Sequence, residues 1–268
     1  MSLPILASFR LASFRAKNPL DPISQFDIKV LQPLKIGEFD ISFTNSALMM
    51  LVGLALTAIW LFFGLRKREL VPGRSQSIVE ISYEFIADMI RSAAGPDGLR
   101  FFPFVYALFM FILFANMIGM FPIFFTTTSH LVITVALALL VFGLVTIYGI
   151  AKNGLGFFKL FWPDGVPIAI KPFVALLEVI SYFSRPISHS IRLWANVFAG
   201  HILLKLFAGF AVVLATSEAI GLKALSIVPY FMTFALVPLE FLVAFVQAYV
   251  FALLTCVYLS DALHPGHH

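Results

Sequence analysis

The segment Pro172–Thr216, PFVALLEVISYFSRPISHSIRLWANVFAGHILLKLFAGFAVVLAT, is apolar nearly throughout and still carries six ionisable side chains. They are Glu178, Arg185, His189, Arg192, His201 and Lys205. As one α-helix the segment would be about 66 Å long, roughly twice the thickness of the hydrocarbon core of a bilayer. Ionisable groups inside an apolar span are costly and usually functional. We therefore expect this segment to be tilted, bent or lined by water in a membrane, and to hold the functional site.

The composition of the whole chain indicates a membrane protein. Of its 268 residues 60% are hydrophobic and 12% are charged, and the mean hydropathy is +0.97. A soluble domain carries about twice that charged fraction. The apolar blocks are too long and continuous for a β-barrel, so the predicted class is an all-α integral membrane protein. A net charge of +4 is better explained by membrane topology than by a nucleic-acid surface, so no nucleic-acid partner is predicted. The single cysteine, Cys256, is predicted to be a small packing residue.

Three further blocks have the length of ordinary transmembrane helices, at about 46–65, 101–125 and 131–150. Basic residues follow the first block at 66–68, which predicts that this end faces the cytoplasm or matrix. The N-terminus is then outside and, by the number of crossings, the C-terminus is inside. The second block contains Asn116, for which an interhelical hydrogen bond is preferred over a place in a polar pathway.

Residues 75–94 have the spacing of an amphipathic helix. We expect this helix to lie on the inner membrane surface or against a partner helix, with its acidic residues on a solvated face. The predicted apolar stripe consists of Ile78, Ile81, Phe85 and Met89.

The last block, 224–260, is also too long for an upright helix. It is predicted to form a hairpin of two long tilted helices with 172–216, through a polar turn at 217–223. Residues 1–45 form an N-terminal extramembrane tail, and 46–268 form the membrane domain. The tail repeats Leu-Ala-Ser-Phe-Arg at 6–10 and 11–15, which fits a surface-lying amphipathic segment, favoured here, or part of a targeting segment.

Several polar side chains of the first hairpin helix share a face with Arg192. At 100° per residue four of them fall within about 60° of it, and a fifth is close to the same face. Arg185 has an alternative role as a charge that reaches a lipid phosphate, and snorkelling to the interface is the better explanation for Lys205. The five residues are Glu178, Arg185, His189, Asn196 and, slightly displaced, Ser188.

His201 differs, because it lies about 180° round the helix and roughly 13 Å along it from Arg192. On the last block Glu240 and Gln247 are seven residues apart and share a face. A hairpin brings His201 and Glu240 together as a pair suited to accepting and passing protons near neutral pH. Arg192 stays charged, so it cannot relay a proton, but it can hold a facing carboxylate ionised. The pattern predicts two proton-accessible regions separated by a fixed positive charge.

Two other membrane functions are less consistent with the sequence. A secondary transporter would show inverted internal repeats, and the 172–260 hairpin is not repeated. A metal-binding membrane enzyme would need clustered ligands. His264, His267 and His268 are clustered only in the terminal tail, where solvent exposure is expected. No metal or other cofactor is predicted.

Two motifs of the first hairpin helix, SRPIS at 184–188 and IRLWANVFAGH at 191–201, resemble subunit a of F-type ATP synthases. LFANMIGMFP at 113–122, Glu240 and QAYVF at 247–251 are similar to that family as well. The resemblance covers the chain from about Pro19 onward. It implies a proton-conducting stator subunit of the Fo sector without catalysis of its own. Its implied partners are a rotating ring of c subunits, the peripheral-stalk subunit b and membrane lipid.

The resemblance also implies roles for individual residues. Arg192 matches the essential arginine of the family, which meets the ring carboxylate and prevents a short circuit. Glu178 matches the acid of the half-channel that opens to the cytoplasm or matrix. Gly119 is a departure, since some relatives have an acid there. The order of acid and histidine is similar to alphaproteobacterial and mitochondrial members, and the bacterial inner membrane is favoured over the mitochondrial one. The remaining half-channel candidates are Ser188, His189, Asn196, His201, Glu240 and Gln247, with Asn116 and Arg185 as possible support.

Overall fold

A computed structural model of the chain describes residues 23–33, 35–36, 39–40, 42–65, 73–121, 124–162, 167 and 170–263. The repeated pentapeptide, the basic residues 66–68 and the histidines near the C-terminus lie outside these ranges.

The described residues form a helical membrane fold. Five helical segments are long and apolar enough to cross a membrane. They contain six of the helices, and α2 is the helix outside them. The all-α membrane class is thereby confirmed. The helices are α1 Asn45–Leu65, α2 Arg74–Ala94, α3 Phe102–Gly119, α4 Leu131–Asn153, α5 Lys171–Ala215, α6 Ile220–Leu225 and α7 Ile227–Leu263.

The long helices α5 and α7 form the predicted hairpin and pack most extensively against each other. Helix α7 also contacts α2, α3 and α4, and α5 contacts α4. Small residues on the inner face of α7 allow this close packing. Ala248, Ala252 and Cys256 are fully buried there, so Cys256 is a packing residue as predicted.

Helix α2 is present at the predicted position, and its buried residues coincide only in part with the predicted apolar stripe. Of the stripe, Ile78 and Ile81 are 54% and 65% exposed and Met89 is buried, and outside the stripe Ile86 and Ile90 are buried as well. The centre of the packed face is turned by about 100° from the centre of the stripe, and Met89 lies where the two overlap. It contacts α1, α3 and α7. In a membrane protein an apolar stripe can also face lipid or a partner subunit, so apolarity alone does not identify the side that faces the core.

The outer end of the second span also differs from the prediction. Helix α3 ends at Gly119 rather than near Phe125, in keeping with Pro122, which has no N–H to continue a helix. The residues between the second and third predicted spans contain a 3-10 turn, Thr127–Ser129. All residues from Thr126 to Ser129 are buried. This outer turn, defined as Thr126–His130, is therefore part of the packed protein.

The N-terminal segment contains short strands that an all-α prediction did not include. β1 Val30–Gln32 pairs antiparallel with β4 Phe43–Thr44, and β2 Lys35–Ile36 pairs with β3 Phe39–Asp40. Just before β1, the ring of Phe26 packs on Phe198, with ring centroids 5.0 Å apart. The N-terminal segment thus reaches α5. At the hairpin tip, the predicted turn 217–223 gives way to α6, and α7 begins at Ile227 instead of Ala224.

Candidate functional site

Arg192 lies beside the midpoint of α5, and its side chain is exposed on the surface of the chain. The apolar residues Ile187 and Ile191 are exposed next to it, at 60% and 45%. Within the part of the chain that the structure describes, no carboxylate lies within ion-pair distance of its guanidinium. The site therefore presents a fixed positive charge on an exposed, apolar surface of the chain.

Arg192 lines a narrow crevice between α5 and α7, too small for a water molecule, together with two other predicted site residues, His189 and Gln247. His189 is 2% exposed and its ring packs on Phe251, with ring centroids 3.7 Å apart. Its Nε2 is buried and has no hydrogen-bond partner among the described residues. Gln247 is also buried. The crevice thus places polar side chains of both long helices beside the exposed guanidinium.

His201 and Glu240 are brought together by the hairpin, as predicted. His201 Nδ1 and Glu240 Oε1 are 3.7 Å apart, and both side chains are about nine-tenths buried. Gly200 permits this approach, because a Cβ at that position would lie only 2.9 Å from Glu240 Oε1. Neither carboxyl oxygen of Glu240 has a hydrogen-bond partner among the described residues. This leaves the carboxyl group able to exchange a proton with the imidazole or with water.

The outer turn covers this pair, which the sequence did not predict. Thr126 Oγ1 lies 3.3 Å from His201 Nε2 and donates to the carbonyl oxygen of Gly119 at 3.1 Å. Thr128 Oγ1 donates to Asn116 Oδ1 at 2.8 Å, and Asn116 Nδ2 donates to the carbonyl oxygen of Ala244 at 3.4 Å. Asn116 therefore has the interhelical role preferred from its residue type. In the sequence, the run of hydroxyl residues at 126–129 was the feature that could have indicated this contact.

Arg185 forms an ion pair inside the chain rather than with a lipid phosphate. Its Nη1 is 2.6 Å from Asp261 Oδ2, and the two side chains are 19% and 12% exposed. The guanidinium also lies 5.6 Å from the ring centre of Tyr182 and 5.2 Å from that of Tyr258. Asp261 was missed because it lies just beyond the predicted end of the last block. The sequence feature that could have indicated Asp261 was Arg185, a charge in the facing helix for which no acidic partner had been assigned.

The other predicted members of the polar stripe do not meet in one cluster. Ser188 and Asn196 are exposed, and the Ser188 hydroxyl donates to the carbonyl oxygen of Arg185 at 3.1 Å. Glu178 is half-buried, about 21 Å along α5 from Arg192. In the described ranges no group of three His, Cys, Asp or Glu side chains is placed to hold a metal ion.

Comparison with known proteins points to one family. Residues 47–260 match the family described as ATP synthase A chain. The chain is 58% identical to the ATP synthase subunit a of Chelativorans sp. (strain BNC1), over 92% of this chain and 99% of the relative. It is 56% identical to the proteins of the same name from Mesorhizobium japonicum and Parvibaculum lavamentivorans. Those matches cover 94% and 93% of this chain, and 100% and 95% of the two relatives.

Proposed function

The chain belongs to the ATP synthase A chain family, and from this premise we propose that Arg192 separates two offset proton half-channels. Membership makes it a multi-pass protein of the bacterial inner membrane that takes part in proton translocation by the Fo sector. The half-channels, the residues that line them and the partner that Arg192 meets are the proposal.

The exposed position of Arg192 carries this proposal. A guanidinium facing lipid near the middle of a span costs several kcal/mol unless it meets an opposite charge. Because no described carboxylate of the chain supplies that charge, a partner in the membrane must supply it. The partner is the ring of c subunits, through its membrane carboxylate. Arg192 holds the passing carboxylate ionised and, since it cannot give up its own proton, it blocks direct proton flow between the half-channels.

The two half-channels lie on opposite sides of this charge along the hairpin. His201 and Glu240, with Asn196 and Gln247, deliver protons from the outside to the ring. Glu178 releases them to the cytoplasm, and Ser188 and His189 line the path beside the gate. The buried contact between His201 and Glu240 supports the first route. The half-buried carboxyl of Glu178 at the other end of α5 supports the second.

The remaining parts of the proposal concern the assembly. The chain acts as a stator without an active site of its own, and it contacts the peripheral-stalk subunit b. The N-terminus is outside and the C-terminus inside. The exposed apolar residues of α2 and α5 support contacts with lipid and partner subunits.

The test compares wild type with Arg192→Ala in membrane vesicles that contain the whole complex. ATP-driven proton pumping and the passive proton leak of the membrane sector are both recorded. We expect pumping to be lost while a leak appears or persists, because the fixed charge between the half-channels is gone. Arg91→Ala is the matched control, since Arg91 pairs with Asp88 on the exposed face of α2. Unchanged pumping in an assembled Arg192→Ala complex would contradict the proposal.

A further inference from the structure

The hydroxyl of Thr126 contacts the carbonyl oxygen of Gly119 and Nε2 of His201. The first contact determines whether the hydroxyl donates or accepts in the second. The hydroxyl has a single hydrogen, which it donates to the carbonyl oxygen of Gly119 at 3.1 Å. A carbonyl oxygen can only accept. The oxygen of Thr126 therefore acts as an acceptor toward its second partner, His201 Nε2, at 3.3 Å.

This arrangement determines the tautomer of His201. In a neutral imidazole one ring nitrogen carries hydrogen and the other accepts. Because Thr126 accepts from Nε2, the hydrogen is on Nε2, and Nδ1 presents its lone pair. Nδ1 is the nitrogen that faces Glu240 Oε1, 3.7 Å away. In the opposite tautomer, the lone pair of Nε2 would face the lone pairs of Thr126 Oγ1, because the hydroxyl hydrogen is donated to Gly119.

We propose that Thr126 is a positioning residue for proton transfer: it holds the Nε2–H tautomer of His201, so that Nδ1 exchanges a proton with Glu240. This inference rests on the proposed function of that pair. In the exchange the bond between the Glu240 carboxyl oxygen and its proton breaks and an Nδ1–H bond forms. The products are a carboxylate and an imidazolium, and the reverse step restores both neutral groups.

The surroundings of His201 leave Thr126 as the group that selects the tautomer. From the N-terminal segment the ring of Phe26 meets the imidazole edge-on, with ring centroids 6.4 Å apart, and it offers neither a donor nor an acceptor in the ring plane. From α7 the titratable group brought against the imidazole is Glu240. The outer turn contributes the Thr126 hydroxyl.

Gly119 is what allows Thr126 to reach this position. A Cβ at residue 119 would lie 2.7 Å from Thr126 Cγ2 and 2.9 Å from Thr126 Oγ1. Any side chain there would take the space of the threonine and move its hydroxyl away from His201. Gly119→Ala is therefore a second way to disturb the same contact while the threonine itself stays intact.

The experiment compares Thr126→Val, Thr126→Ser and Gly119→Ala in the whole complex in membranes. Valine has the shape of threonine without the hydroxyl, and serine keeps the hydroxyl. We expect Thr126→Val and Gly119→Ala to lower ATP-driven proton pumping about fivefold, the worth of about one neutral hydrogen bond, and Thr126→Ser to stay near wild type. Thr134→Val is the matched control, because this threonine is also buried and its hydroxyl bonds the carbonyl oxygen of Leu131 in its own helix.

A spectroscopic measurement separates positioning from a structural effect. The ring nitrogens of His201 are observed by ¹⁵N solid-state NMR of the complex, and the signal is identified by its absence from His201→Gln. We expect one tautomer, protonated at Nε2, in wild type, Thr126→Ser and Thr134→Val. Both tautomers are expected in Thr126→Val and Gly119→Ala.

The outcomes distinguish this inference from the function on which it rests. Full pumping by Thr126→Val, or an unchanged tautomer in that variant, would overturn the role of Thr126. If His201→Gln itself pumps normally, the proposed function of the His201–Glu240 pair fails. Should Thr126→Val not assemble, Gly119→Ala with its intact threonine carries the test.

Discussion

The region around Arg192 and the region around His201 lie on the same helix but differ in burial and in the contacts that surround them. Arg192 is exposed among apolar side chains, and no described carboxylate lies within ion-pair distance. His201 is buried and is contacted by α7, the outer turn and the N-terminal segment. The chain thus completes the surroundings of the His201–Glu240 pair by itself, whereas the fixed charge of Arg192 has no described counter-charge within the chain. Under the proposed function, the first region therefore depends on assembly with a partner and the second is built within the chain.

The largest expected effect distinguishes the two regions by whether a substitution abolishes passive proton conduction as well as ATP-driven pumping. Glu240→Gln keeps the size of the side chain and removes its titration. We expect ATP-driven pumping and passive conduction to fall together, by about a hundredfold or more, because proton transfer by positioned groups contributes about that much. Arg192→Ala is expected instead to leave the passive leak.

The measurement is again proton flux in vesicles that contain the whole complex. Glu80→Gln is the control, because Glu80 is an exposed acid on α2. Normal pumping by an assembled Glu240→Gln complex would remove the functional contrast between the two regions.

The next effect concerns stability and contrasts two arginines of α5. Arg185→Met leaves Asp261 largely buried without its partner, which we expect to cost about 3 kcal/mol. Arg192→Met removes no described ion pair within the chain, so we expect little change. The denaturant midpoint of the purified chain in detergent, without the ring of c subunits, measures both.

The double substitution Arg185→Met with Asp261→Asn completes this comparison. Because it removes both charges, most of the stability is expected to return. Equal losses for Arg185→Met and Arg192→Met would argue against an internal pair at Arg185 and a partner-dependent charge at Arg192.

A smaller effect is expected where Gly200 touches Glu240. In Gly200→Ala the new Cβ would lie 2.9 Å from Glu240 Oε1, so the carboxyl group must move away from His201. Small displacements at a reacting pair reduce rates strongly, and we expect pumping to fall about tenfold with normal assembly. Gly143→Ala is the matched control, because its Cβ would meet nothing within 4 Å. A wild-type rate in Gly200→Ala would show that the close contact is not required.

The sequence predicted the parts of this fold that depend on length and hydropathy. The positions of α1, α4 and the long hairpin follow from uninterrupted apolar runs, and the meeting of His201 and Glu240 follows from folding two helices against each other. The buried face of α2 did not follow, because lipid, partners and core all accept apolar side chains. A hydrophobic pattern therefore gives the existence of that helix but not its rotation.

The candidate site was predictable within one helix and much less so between distant segments. Arg192 is identified by the cost of a charge in an apolar span. The contact of Thr126 with His201 joins residues 75 positions apart, and that of Arg185 with Asp261 joins residues 76 apart. Neither has a periodic signature. Thr126 looked like an ordinary polar turn residue because its burial depends on how α3, α4 and α5 pack around it.

The smallest expected effect tests how firmly the N-terminal segment closes over the His201 region. His130 lies outside the spanning helices and bonds the backbone of Phe26. Burial lowers the pKa of His130 below its ordinary value, and the hydrogen bond to the backbone of Phe26 offsets this only in part. The native state therefore favours neutral His130, and the packing that buries this side chain loses stability as the pH falls below about 6.5. Its buried Nε2, which has no hydrogen-bond partner among the described residues, would then carry an uncompensated proton.

Hydrogen exchange of the amides in 23–33 measures this effect at about pH 7.5 and about pH 5.5, after correction for the intrinsic rates. We expect severalfold faster exchange at the lower pH in wild type and no such change in His130→Gln, which keeps an N–H donor but does not titrate. Faster exchange confined to 23–33 and the outer turn, with no change around Arg192, would support the contrast between the two regions. The His201 region is covered by other parts of the chain, whereas Arg192 is proposed to meet a partner. An equal response in both variants would show that another group controls the segment.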